Sequence, residues 1–161
     1  MIKIKHLGNH LYEATNGKDV IVINPEKYSP VELFITGLGN CSAFDVVELA
    51  KRKGYELKNF TLEIETKRKD TFPKIFTEFH LIYRFETEAD AMTARRWVLS
   101  SLETYCSTVN TVRNTSKIYY SIYNKDEVIA FKESIISGEV EHTHNFEDND
   151  DSGFGCCCCS S

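Results

Sequence analysis

The sequence predicts an α+β fold in which antiparallel β meanders surround a buried helix, with a second helix beside it. Three observations predict it. Short apolar runs separated by turn residues fill the first 25 positions, and a helix-start signal stands at Ser29–Glu32. Two runs of period-2 alternation then precede a second stretch of helical spacing.

Residues Ile2 to Leu7, Leu11 to Thr15 and Asp19 to Pro25 read as strands, separated by Gly8-Asn9 and Asn16-Gly17. Asn-Gly between apolar runs suits the left-handed backbone of a tight hairpin turn, so the N-terminus should be a meander. Ser29 at the N-cap, Pro30 at the first helical position and Glu32 three residues after the cap form a capping box. The helix it opens should run to about Lys53, with Lys51, Arg52 and Lys53 in the carbonyl-rich last turn and Gly54 as the stop. Leu33, Phe34, Leu38, Cys41, Phe44, Val46, Val47 and Leu49 cover most of its circumference, which predicts burial on more than one side.

Over residues 57–67, Phe60, Leu62 and Ile64 alternate with Glu63 and Glu65. Over 74–86, Ile75, Phe79, Leu81, Tyr83 and Phe85 oppose Glu78, His80 and Arg84. The two runs predict a hairpin or meander with one wet face, turning at the exposed Lys67–Pro73 segment. A second helix is expected from about Glu88 to Tyr105, introduced by a Thr87-to-Asp90 capping signal and carrying Met92, Val98, Leu99 and Leu102 at helical spacing. Cys106 falls at its end. Beyond a polar stretch containing Arg113, Ile118–Tyr123 reads as a strand, and Glu127–Glu133 as either a further strand or a short terminal helix.

A chain of 161 residues with 42% hydrophobic and 12% aromatic content can bury one core, here expected over residues 1–137. Residues 138–161 form an acidic, Cys-rich tail expected to be disordered. Six of the 24 acids and none of the 19 Lys and Arg residues lie from Gly138 onward, so the folded part is nearly neutral. Without a basic stripe to track phosphates, nucleic acid is excluded as a partner. No stretch reads as the 18 or so apolar residues of a membrane span, and MIKIKHLGNH has no long apolar run after its lysines. The expected location is cytoplasmic, where a disulfide is more often transient and catalytic than structural.

Cys41 lies in the middle of the apolar helix, preceded by Gly37, Gly39 and Asn40. Each glycine costs a helix about 1 kcal/mol relative to alanine, so close approach of another element, as tight packing or as a substrate slot, should offset it. A cysteine in such a place is either a small buried hydrophobe or a nucleophile. Asp45, one turn on, shares its face; ionised beside the sulfur it would raise the thiol pKa, or it would bind a polar group of a ligand. No cofactor and no metal are expected in the folded part. His142, His144 and Cys156–Cys159 could make a soft metal-binding tail, although their spacing matches no compact zinc motif. Trp97 and the aromatic strand residues suit core packing or an apolar lining.

The stretch Ser29-Pro-Val-Glu-Leu-Phe-Ile-Thr-Gly-Leu-Gly-Asn-Cys41-Ser-Ala-Phe-Asp-Val-Val47 resembles the cysteine helix of the OsmC/Ohr superfamily. So does Tyr105-Cys106-Ser107-Thr108-Val109 with the following Arg113, and the resemblance spans about residues 1–135. It is nearest the shorter YhfA-like branch, with its GLGxC and xDV elements. The resemblance implies an intertwined homodimer with Cys41 as peroxidatic and Cys106 as resolving cysteine. The implied activity is a thiol-dependent reduction of organic hydroperoxides in oxidative-stress defence, with a dithiol reductant closing the cycle. A thiolate attacks the O–O bond, becomes a sulfenic acid and condenses with the second thiol.

The chain departs from the family pattern at two positions. Active relatives hold the thiolate with an arginine from the N-terminal segment, whereas the first arginine here is Arg52; Lys3, Lys5 and Lys18 carry charge but no guanidinium fork. The glutamate that pairs with that arginine aligns with Val31, and Glu32 is displaced by one residue, about 100° around the helix. Glu32 is therefore explained by the capping box, with support of the site as the alternative. These departures favour a second reading, a catalytically altered relative that binds a small apolar or thiol-reactive molecule.

Overall fold

The structure is a computed structural model that describes residues 1–135. The expectations for the tail, including His142, His144 and Cys156–Cys159, lie outside the described residues. The described residues fall into two compact units, 1–37 and 38–135.

The first unit holds a three-stranded antiparallel sheet in the order β1 (Lys3–Gly8), β2 (Leu11–Thr15), β3 (Val20–Ile23). The turns fall where the glycines and asparagines predict them. Gly8 (φ 96°), Asn9 (49°) and His10 (61°) carry the first, and Gly17 (93°) the second, all in the left-handed region that β-branched residues avoid. Asn16 Oδ1 accepts from the Lys18 and Asp19 amides at 2.8 Å, closing the second turn.

Helix α1 (Pro30–Arg52) opens on the expected capping box: the Ser29 amide donates to Glu32 Oε2 at 2.8 Å, and the Glu32 amide to Ser29 Oγ at 3.2 Å. It closes through Gly54 (φ 80°), with the Tyr55 amide reaching back to the Ala50 carbonyl at 3.0 Å. Within this chain the helix is buried along one face, by Leu38, Gly39, Cys41, Ser42, Val46 and Ala50. Phe34, Phe44 and Val47 are exposed, which corrects the expectation of burial on several sides. A helix this apolar also meets the length and composition of a membrane span, contrary to the sequence reading. Core helices meet the same test of length and composition, and 33% of the apolar window is buried in this chain.

The second unit is built on a four-stranded sheet, β4 (Lys58–Arg68), β5 (Phe76–Glu86), β6 (Lys117–Asn124), β7 (Glu127–Ser134), in that spatial order. The sheet is mixed, not antiparallel throughout: β4–β5 and β6–β7 are antiparallel, but β5 and β6 run parallel. The reason is the connection, since the helical segment between β5 and β6 crosses over the sheet and returns the chain in the same direction. Glu127–Ser134 is a strand, which resolves the alternative left open at that end.

Alternation along β5 and β6 gives one face to the core. Phe79, Leu81, Tyr83 and Phe85 line up with Ile118, Tyr120 and Ile122, all essentially inaccessible. α1 meets this face through Ser42 and Tyr83, and α2 (Ala91–Ser100) through Arg95, which bonds Tyr120 Oη at 3.1 Å and pairs with Glu133. The opposite face carries charges, as predicted, with Lys67 beside Glu78 at 2.9 Å and the Arg84 guanidinium over the Tyr123 ring. His80 is the exception. It lies on that face yet is buried, with Nδ1 3.1 Å from Glu65 Oε2 and Nε2 2.9 Å from Ser121 Oγ. Partners on both neighbouring strands cover it, a pairing that alternation within one strand does not reveal.

The second helical region departs most from expectation. α2 begins at Ala91, because the Asp90 carboxylate accepts from the Thr93 amide at 3.0 Å and is the N-cap in preference to Thr87. It ends at Ser100, where the chain widens into a π-helical turn, Ser101–Tyr105. The Cys106 amide bonds the Ser101 carbonyl at 2.8 Å, one residue further back than an α-helix allows. Cys106 is extended (φ −70°, ψ 100°) and starts a separate short helix, α3 (Ser107–Val112), where the sequence reading had a polar stretch.

Candidate active site

The Gly37-Leu-Gly39 spacing has a clear packing consequence at one glycine. A Cβ on Gly39 would stand 2.5 Å from Ile64 Cδ1 and 3.6 Å from Leu62 Cδ2, so its absence lets β4 close onto α1 two residues before Cys41. A Cβ on Gly37 would meet nothing within 4 Å. Cys41 faces inward at this point, 4% exposed.

The π-helical turn brings Cys106 to the same place. One residue of extra backbone in the last turn re-aims the chain beyond it, and α3 then presents its first residues to Cys41. Cys41 Sγ, Cys106 Sγ and an Asp45 carboxylate oxygen all lie within 4.8 Å of one another. Both cysteines are free thiols. Arg113, nearly buried, donates to the Glu103 carbonyl at 3.1 Å and to Asn110 Oδ1 at 2.9 Å, tying the π-helical turn to α3. Asn110 Nδ2 in turn donates to the Cys106 carbonyl at 2.9 Å.

The two thiols occupy different electrostatic environments. Burial raises the pKa of Cys41, but donors outweigh it: the Thr108 hydroxyl and amide, the Cys106 thiol and the Ser107 hydroxyl, the last at 3.9 Å, bring it below the ordinary 9.0. Cys106 is pushed up to about 12, first by burial and further by Cys41, against a lowering contribution from Thr108, whose Oγ1 is 3.2 Å away. Asp45 is raised above its ordinary 3.8 by burial, partly opposed by Ser101.

Beneath Asp45 lies a buried hydroxyl chain. Tyr83 Oη is 2.6 Å from Ser42 Oγ, Ser42 Oγ is 2.8 Å from Ser101 Oγ, and Ser101 Oγ donates towards Asp45 Oδ2 at 3.4 Å. Each hydroxyl has one proton. The chain can run from Tyr83 to Ser42 to Ser101, whose one proton has two acceptors, the Ser42 carbonyl at 3.3 Å and Asp45 Oδ2 at 3.4 Å. Burial keeps Tyr83 protonated, so it anchors the chain and does not release a proton.

Of the four residues singled out from sequence, Cys41, Asp45 and Cys106 are brought together. Glu32 is committed to Ser29, whose hydroxyl and amide hold its carboxyl below the usual range. Sequence reasoning missed Ser107 and Thr108 as donors, although both stand in the motif that flagged Cys106. It also missed Ser42 and Ser101, whose hydroxyls acquire a role only when α1 and the π-helical turn meet.

A mixed sheet covered on one face by a cysteine-bearing helix, with a second cysteine delivered at a helix start, defines an OsmC-like protein. A family model described as OsmC-like protein matches residues 23–121, and the chain belongs to that family. It is 30% identical over 95 residues to Protein YhfA of Escherichia coli (strain K12), covering 58% of this chain and 70% of that protein. Among solved structures, a hypothetical protein from Aquifex aeolicus VF5 superposes with a TM-score of 0.68 at 23% identity, over 78% of this chain and 97% of that one. An organic hydroperoxide resistance protein OsmC from Legionella pneumophila gives a TM-score of 0.57 at 18% identity, over 77% and 95%. These two likenesses concern the fold.

Proposed function

We propose that this chain is a thiol-dependent hydroperoxide reductase in which Cys41 attacks the peroxide and Cys106 resolves the product. The observation that carries the reading is the asymmetry of two free thiols within 4.8 Å, one lowered by donors and the other raised by burial. The family's peroxide-resistance members lend it support. The Cys41 thiolate displaces alkoxide from ROOH, leaving Cys41–SOH, and a proton converts RO⁻ to ROH. Cys106–SH then condenses with the sulfenic acid, forming the Cys41–Cys106 disulfide and releasing water. An external dithiol reduces the disulfide and becomes a disulfide itself.

Asp45 suits the proton steps, because a carboxyl raised by burial can give a proton to the alkoxide and take one from Cys106. The lack of an arginine before Arg52 is the observation behind the alternative, a protein that binds a small apolar or thiol-reactive molecule without turnover. The donors of Ser107 and Thr108 answer that objection, since hydrogen bonds to the charged form lower a thiol pKa as a cation does.

Mass spectrometry of the reduced chain after one equivalent of cumene hydroperoxide, compared with hydrogen peroxide, tests the reading. A Cys41–Cys106 disulfide formed faster with the organic peroxide is expected. Both thiols left unmodified would transfer the weight to the binding alternative.

The same reading carries a homodimer as partner. Ile4, Val20, Ile21 and Val22 are each more than half exposed on the N-terminal strands, and Phe34, Phe44 and Val47 are exposed along α1. Sedimentation equilibrium should give twice the chain mass, and Ile21→Asp should shift it towards the monomer. A wild-type chain that sediments as a monomer would reject the dimer.

A further inference from the structure

The Cys41–Asp45–Cys106 cluster offers two sulfurs and a carboxylate oxygen to a common centre, three protein donors of the kind a zinc site uses. A tetrahedral zinc ion sets its sulfur donors about 3.8 Å apart and a sulfur about 3.5 Å from an oxygen, from bond lengths of about 2.3 and 2.0 Å. The three donor atoms here lie within 4.8 Å of one another, so small side-chain rotations close the site. Each ligand already has an outer partner: Ser101 Oγ holds Asp45 Oδ2 at 3.4 Å, Thr108 Oγ1 lies 3.2 Å from Cys106, and Ser107 Oγ lies 3.9 Å from Cys41. Soft thiolates favour zinc, cadmium or copper(I) over magnesium or calcium.

We propose that the reduced protein binds one thiophilic d10 cation, zinc being the type, through Cys41, Asp45 and Cys106, with a fourth position open to water. This goes beyond the peroxide chemistry and needs only that both thiols be reduced. Binding replaces the two thiol protons: the ion gains two Zn–S bonds and one Zn–O bond, and the protons leave to solvent. Burial makes Cys106 and Asp45 costly to ionise beside Cys41, and a divalent ion turns the mutual repulsion of the three charges into attraction to itself. An occupied site has no free nucleophile, so zinc and peroxide would compete for Cys41.

The test uses the full chain with Cys156→Ser, Cys157→Ser, Cys158→Ser and Cys159→Ser, which removes the tail thiols. The reduced protein is titrated with zinc against a chromogenic chelator, and in parallel with cobalt(II). One zinc per chain is expected, with a thiolate-to-cobalt charge-transfer band of two-thiolate intensity. Cys41→Ser or Cys106→Ser should weaken zinc binding at least about a hundredfold, and Asp45→Asn about tenfold or more, on the scale of lost metal-site partners. A missing charge-transfer band in the chain that keeps both thiols would overturn the proposal, and so would zinc uptake unchanged by Cys41→Ser. Neither result depends on peroxide turnover, so this site and the reductase reading fail separately.

Discussion

Cys41→Ser is expected to lower hydroperoxide turnover by about three orders of magnitude or more, because the hydroxyl is not ionised at neutral pH and is a poor nucleophile towards an O–O bond. The substitution exchanges one sulfur for an oxygen at a buried position, so circular dichroism should be unchanged and the loss assigned to chemistry. Cys106→Ser should behave differently. Cys41 still reacts once, but with no second thiol beside it among the described residues the sulfenic acid persists and is captured by dimedone. Normal turnover in Cys41→Ser would refute the assignment outright, whatever Cys106→Ser did.

Thr108→Val should raise the Cys41 pKa and slow its reaction with peroxide or an alkylating agent about tenfold or more. A hydrogen bond to a charged group contributes about 1.5–3 kcal/mol, which corresponds to about one to two pKa units. Thr108 approaches Cys41 with both its hydroxyl and its amide, and valine removes only the hydroxyl. Its hydroxyl also reaches the Leu38 carbonyl at 3.4 Å, so valine removes this link between α3 and α1 as well. Thr108→Ser keeps the donor and should retain most of the reactivity. Equal rates in the valine and wild-type proteins would show that the thiolate is held by something other than the start of α3.

The helix carrying Cys41 was legible in the sequence because its signals are local: Ser29, Pro30 and Glu32 fix its start and Gly54 its end, whereas its apolar positions overstated its burial. Asp45 followed from helical periodicity alone. The parallel pairing of β5 with β6 was not legible, since alternation identifies a strand and a face but not the direction of its neighbour. The π-helical turn was missed for a related reason. Met92, Val98 and Leu102 fit an uninterrupted α-helix, and the contact of Ser101 with Ser42 at the widened turn is one that helical spacing does not reveal. The donors around Cys41 depend on that turn, so a motif that names Cys106 does not reveal what Ser107 and Thr108 do. His80 was assigned to water by its own strand and is covered by Glu65 and Ser121 from the strands on either side.

The central claim is that the two thiols are unequal and that Cys41 is the one poised to ionise. Thiolate ultraviolet absorbance against pH measures this directly in two full-length proteins, each with serine at 156–159 and a single remaining cysteine. With Cys106→Ser, the Cys41 thiol should titrate below 9.0; with Cys41→Ser, the Cys106 thiol should titrate above 9.0, held up by burial. Two thiols titrating together near 9.0, or in the reverse order, would contradict the account.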